Sequence, residues 1–347
     1  MKVVLKKHSI PLLIVCLLSS MHVLAGDPAV KKTKTYNKSY TVDNNDKISF
    51  YNKFGELQIN TWDKNEVKVS VTITAEASTD EKAQAILDHI EIEDSKSNDG
   101  VSFKTTLHKK KEPKWGKGEK QGFHIDYVVY VPARNPLSAR NEFGPMSVPD
   151  YNGEVTLESK FGSLTTGKLS NVKKVQVEFG KATIGSINNG SLIIKFSKAA
   201  IDNLDGAVNA VFEYCDVAKL KVDNDSKSLT VKNNFSHLYL DVNTNISANF
   251  DISTHFGDLH NKTNFEIKEE KDDKDGHGPR FNKQYLGKTG SGNIAMKIKS
   301  DFGQITIGHN LNVNININKD EKKDKNKDKD KDKNKDKDKD KKEQVII

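Results

Sequence analysis

"HKKKEPKWGKGEKQG", residues 108–122, is the densest grouping of interaction-capable side chains in this sequence. Lys109, Lys110, Lys111, Lys114, Lys117 and Lys120 are accompanied only by Glu112 and Glu119, and Trp115 sits between Pro113 and Gly116. A tryptophan on a basic loop suits a lipid headgroup layer or the face of a sugar ring. These seven residues are the candidate surface-binding group, with an anionic envelope surface or glycan as the expected partner. The plainer alternative is a solvated hairpin whose Trp115 folds back on the body.

Catalytic and metal chemistry find less to work with. His8 and His22 lie near the N-terminus, and the remaining histidines show no His-Glu-x-x-His spacing. No Gly-x-Ser-x-Gly elbow and no phosphate-cradling glycine loop occurs. Arginine is limited to Arg134, Arg140 and Arg280. Carboxylates aligned on neighbouring strands could still cleave a polysaccharide. The expectation is no enzyme, no cofactor and no metal.

Charge narrows the partners once it is divided along the chain. The whole chain carries +7, and the folded body between the N-terminal leader and the tail carries only about +1. A nucleic-acid-binding domain normally shows its basic excess in the folded part, so nucleic acid is not expected. Residues 1–25 combine Lys2, Lys6 and Lys7 with an apolar run from Ile10 to Leu18 and small residues near Ala25. This reads as a secretory signal peptide, leaving no transmembrane span in the mature chain. Its removal would leave Cys215 as a lone thiol, placed by alternation as core filler. At the other end, residues 319–347 alternate Lys with Asp and lack apolar residues before Val345. Such a segment cannot bury enough surface to offset its ordering entropy, so a disordered tail is expected.

An aromatic marker punctuates the body. It occurs at Phe54, Phe143, Phe161, Phe179, Phe196, Phe212, Phe235, Phe256 and Phe302, mostly followed by glycine or serine. From Phe143 the steps are 18, 18, 17, 16, 23, 21 and 46, the last enclosing a charged insertion at residues 266–286. That 46-residue step is more than two repeats long, so one marker would have been lost beside the insertion. Segments such as "VQVEFGKATIG" alternate apolar and polar residues, the period of half-buried strands. The spacing predicts an all-β fold, a β-solenoid or β-helix-like stack of short strands over residues 141–318. The markers would form one interior column, and glycine would let the chain turn beside them.

Residues 26–140 read differently. Strands run to about Ala77; "STDEKAQAILDHIEIE" then offers Ser78 or Thr79 as a helix cap, with Ala83, Ile86, Leu87 and Ile90 at helical spacing. Further strands cover Val101–Leu107 and Phe123–Val131. This strand-helix-strand unit would cap the stack, whose open end would otherwise invite strand pairing.

"GELQINTWDKNEVKVSVTITAEA", a short helix, "IDYVVYVPA" and "NEFGPMSVPDYNGEVTLESKFGSLTT" together resemble the bacterial putative-adhesin family of repeat-strand envelope proteins. The resemblance covers about Ser39 to Ile307. It implies an exported β-solenoid without catalytic residues, found in the periplasm, at the outer membrane surface or outside the cell. The Lys/Asp tail and the 266–286 insertion depart from the pattern. A structural envelope scaffold and a polysaccharide-acting β-helix enzyme are the alternatives.

Overall fold

The computed structural model describes residues 30–108, 121–270 and 280–315. The leader, the tail and the basic loop carrying Lys109, Lys110, Lys111, Lys114, Trp115, Lys117 and Lys120 lie outside the described residues. Within them the chain is all-β apart from one helix. The N-terminal strands are β1 (Val30–Thr41), β2 (Lys47–Lys53), β3 (Leu57–Trp62) and β4 (Glu66–Ala77). Helix α1 (Asp80–Asp88) leads to β5 (Ile90–Ser97), β6 (Gly100–Leu107), β7 (Gly122–Pro132), β8 (Leu137–Glu142) and β9 (Met146–Val148). The long strands are β10 (Tyr151–Lys160), β11 (Ser163–Glu178), β12 (Lys181–Lys195), β13 (Lys198–Glu213) and β14 (Val217–Asn234). Then come β15 (His237–Val242), β16 (Ala248–His255), β17 (Asp258–Asn261), β18 (Ile267–Glu270), β19 (Asn282–Lys288), β20 (Ile294–Asp301) and β21 (Gln304–Gly308).

The long strands pair in parallel, each with its successor, from β10 through β14. Each pass of the chain has two arms meeting at an aromatic corner. The arms of β8 and β9 flank Phe143, and those of β10 and β11 flank Phe161. Alternation decides which side chains go inside: Val175, Val177, Leu192, Ile194, Ala210 and Phe212 are buried, and the residues between them face outward. The inner side chains of both arms join one hydrophobic core.

Antiparallel pairing appears at the two ends of the stack. At the start, β4 runs antiparallel to β1 and β7, and β5 antiparallel to β6. Between β4 and β5, α1 buries Ala83, Ile86 and Leu87. Thr79 caps it, its hydroxyl accepting the Lys82 N–H at 3.3 Å. Ile90, assigned to helical spacing from sequence, opens β5 instead.

At the far end the passes leave sequence order. β20 lies between β14 and β16, and β21 between β15 and β17. The 46-residue step from Phe256 to Phe302 therefore runs out around the last pass and back inside it. The described part of the charged insertion supplies β18 and β19, and β19 pairs antiparallel with the outer edge of β16. The site of a further marker is held by Phe281, whose ring tilts 35° against Phe256 at 4.7 Å.

Candidate functional site: an exposed aromatic ladder

The markers do form a column, but outside the core. Phe54, Phe143, Phe161, Phe179, Phe196, Tyr214, Phe235, Phe302 and Phe256 stack in that order, with centroids 4.8–5.0 Å apart and planes within 7°. From Phe143 onward these rings are 46–51% exposed. Two expectations need correction. Phe212 is not a member; it is a fully buried core residue, and Tyr214 stands in the column. The rings also point outward, although strand parity from Val175 and Val177 would carry Phe179 inward.

The backbone explains the reversal. Every ladder residue has a positive φ, between 49° and 63°. That left-handed step turns the corner and swings the side chain out. It costs a non-glycine residue about 1–2 kcal/mol. Contact with two neighbouring rings offsets it, since an aromatic pair contributes about 0.5–1.5 kcal/mol beyond area burial. The pairing continues through the corner: Phe161 N–H donates to the Glu178 carbonyl at 3.0 Å, and Phe179 N–H to that of Lys195 at 3.1 Å.

Glycine after the marker is required by crowding rather than by φ. A Cβ on Gly162 would lie 1.9 Å from the Gly144 carbonyl oxygen, and one on Gly180 would lie 1.8 Å from that of Gly162. The corners at Phe196, Tyr214 and Phe235 use another solution. Ser197 accepts the Gly180 N–H at 3.0 Å and donates to the Lys195 carbonyl at 2.7 Å. Cys215 takes the same place; its thiol is buried, lies 3.3 Å from the Ile194 carbonyl oxygen, and is pushed up in pKa by that burial. It is the core filler that alternation placed there.

A second row lies beside the rings, on the arm that precedes each corner. Lys53, Glu142, Lys160, Glu178, Lys195 and Glu213 occupy successive rungs, alternating in sign. Neighbours pair at 3.2 Å for Lys53–Glu142, 3.1 Å for Lys160–Glu178 and 2.8 Å for Lys195–Glu213. Burial alone would raise the Glu178 carboxyl, but hydrogen bonds from Lys160 and Gln176 outweigh it and hold it below the usual range. Glu142 behaves alike, with Arg140 and Lys53 outweighing burial. The opposite flank carries a groove. Residues 311–315 alternate in burial, and the buried Ile315 lines a groove of about 510 Å³ together with Phe196, Tyr214, Lys181, Lys198 and Asp216.

The stacked rings turn their faces to one another and their edges to solvent. A sugar ring therefore finds no free aromatic face between Phe143 and Phe302. What the ladder offers is a continuous apolar strip, about 40 Å long at the interstrand spacing. Beyond it, a cleft of about 990 Å³ near the far end is lined by mixed charge, including His255, Glu270, Arg280, Lys283, Lys299 and Asp301. His255 and His260 lie on the two strands flanking the Phe256 corner. No helix among the described residues is long and apolar enough to cross a membrane.

No family model matches the chain, and no curated protein does. Similar solved structures carry the name that the sequence resemblance suggested. A putative adhesin from Bacteroides fragilis is 12% identical, with 79% of this chain and 97% of that one covered and a TM-score of 0.35. A putative cell adhesion protein from Clostridium sporogenes is 11% identical, with 80% and 100% covered and a TM-score of 0.23. A putative lipid binding protein from Parabacteroides distasonis is 11% identical, with 79% and 96% covered and a TM-score of 0.26.

Proposed function

We propose that this chain is an exported, non-enzymatic β-solenoid of the cell envelope that presents a repetitive surface for binding. The solenoid reading draws on the parallel pairing of successive passes from β10 to β14. The binding reading rests on one observation, the half-exposed aromatic ladder. A contiguous apolar strip of this size exceeds what monomers ordinarily leave in water, and such strips mark contact sites. The test is attachment of the full-length chain to intact cells, with protease shaving to show whether it is reachable from outside. Replacing Phe161, Phe179 and Phe196 together by Asn keeps a residue type that tolerates the left-handed corner and removes the rings. Loss of attachment with unchanged circular dichroism supports the reading; unchanged attachment refutes it.

An envelope scaffold without external ligand is the second reading. It is favoured by the mutual stacking of the rings, which gives the ladder a stabilising task of its own. In that case the triple variant lowers stability and leaves attachment unaltered.

A further inference from the structure

We infer that the ladder's partner is a second copy of this chain, paired ladder to ladder and antiparallel about a two-fold axis perpendicular to the stack. The inference rests on the ladder being a contact surface and names what it contacts.

Area is the first argument. Eight rings are 46–51% exposed. At roughly 200 Å² per aromatic side chain they leave about 800 Å² of nearly continuous apolar surface. A stable protein pair buries about 800 Å² on each partner. The strip is long and narrow, so a compact partner would cover only part of it. A second strip of the same length covers all of it.

Charge is the second. With the axis perpendicular to the ladder, the charged flank of one copy meets the charged flank of the other in reversed order. Signs alternate from Lys53 to Glu213, so an antiparallel pairing is complementary at every rung in alternate registers. In the register that overlays the eight exposed rings, from Phe143 to Phe256, Lys195 meets the partner's Glu213, Lys160 the partner's Asp301 and Glu178 the partner's Asn234. A slip of one rung, about 4.8 Å, sets Lys195 against its own copy, Glu178 against the partner's Glu213 and Glu142 against the partner's Asp301. The row therefore selects register and orientation, while the rings supply the contact area. The other flank carries Lys181, Lys198 and Asp216 beside a groove of about 510 Å³, so the alternating charge row is confined to the flank before each corner.

Sedimentation of the full-length chain over a concentration series tests this. Twice the chain mass is expected, with the Phe161→Asn, Phe179→Asn, Phe196→Asn variant monomeric; because each lost ring also destabilises the stack, circular dichroism first shows whether it folds, and the next variant carries the test where it does not. Glu213→Lys keeps all the rings and should weaken pairing about tenfold at low salt, with the difference shrinking in high salt. A full-length chain that stays monomeric overturns the inference, and so does a dimer insensitive to both variants. If the monomer's attachment to cells is still abolished by the triple variant, self-pairing fails and the proposed function stands. If neither assay responds to the rings, both fail. Ladder-dependent binding of a monomer to anionic lipid vesicles also overturns the second copy as partner.

Discussion

Replacing Phe179 by Ala and by Gly separates an outward, left-handed ladder from an interior column. In its corner Phe179 has φ 55° and is 47% exposed. About half of a roughly 200 Å² side chain is thus buried, and at about 25 cal/mol per Å² that burial stabilises by about 2.5 kcal/mol. Its stacks on Phe161 and Phe196, at 5.0 and 4.8 Å, add about 1–3 kcal/mol together. Ala forfeits most of both contributions and keeps the left-handed strain, so a loss of about 3–5 kcal/mol is expected. Gly forfeits the same contacts and is relieved of about 1–2 kcal/mol of strain. Its loss should therefore be smaller than Ala's by about 1 kcal/mol. In a strand interior the order is the reverse, because Gly there is worse than Ala by about 0.5–1 kcal/mol. Guanidinium unfolding followed by circular dichroism reads the difference as a shift in midpoint. A Gly variant less stable than the Ala variant would refute the claim that strain in the corner is offset by ring contact.

Gly180→Ala places a methyl 1.8 Å from a backbone oxygen, so it should lower the thermal midpoint more than Ser197→Ala, which loses two hydrogen bonds worth about 1 kcal/mol each. Glu142 and Glu178 have folded pKa values below the usual 4.5, so the unfolded chain binds more protons between the two values. Their contribution to stability is complete above pH 4.5 and is lost as pH falls through the folded values, and Glu178→Gln should flatten that decline in the guanidinium midpoint. Ile315→Ala should cost about 2 kcal/mol as a buried truncation, while removal of Lys319–Ile347 should leave the thermal midpoint within a degree or so. For the basic loop, replacing Lys109, Lys110 and Lys111 with Gln in a tail-deleted chain should reduce retention on anionic vesicles at low salt; equal retention at every salt concentration assigns the loop to the solvated hairpin.

The sequence by itself determined the strand class, because period-two alternation has one physical reading and runs through β10 to β14. It also located the helix, whose Thr79 cap and Ala83, Ile86 and Leu87 stripe are local features. The interval between markers disclosed the column, because residues one pass apart become neighbours whichever way they point. Direction was the part it could not give. Parity counts along a strand, and a single left-handed residue at each corner reverses it, which is why Phe179 is out and Phe212 is in. Tyr214 went unrecognised as a member because Phe212 matched the marker by type, although the 18-residue step from Phe196 to Tyr214 repeats the earlier spacing. The charge row was legible only as scattered Lys and Glu before each corner; pairing register was needed to bring them together in alternation. The passage of β20 between β14 and β16 carried no local signal, since any pass with the right alternation can fit any gap of one rung. Tertiary structure decided that order, because it depends on which edge is open when the last strand arrives.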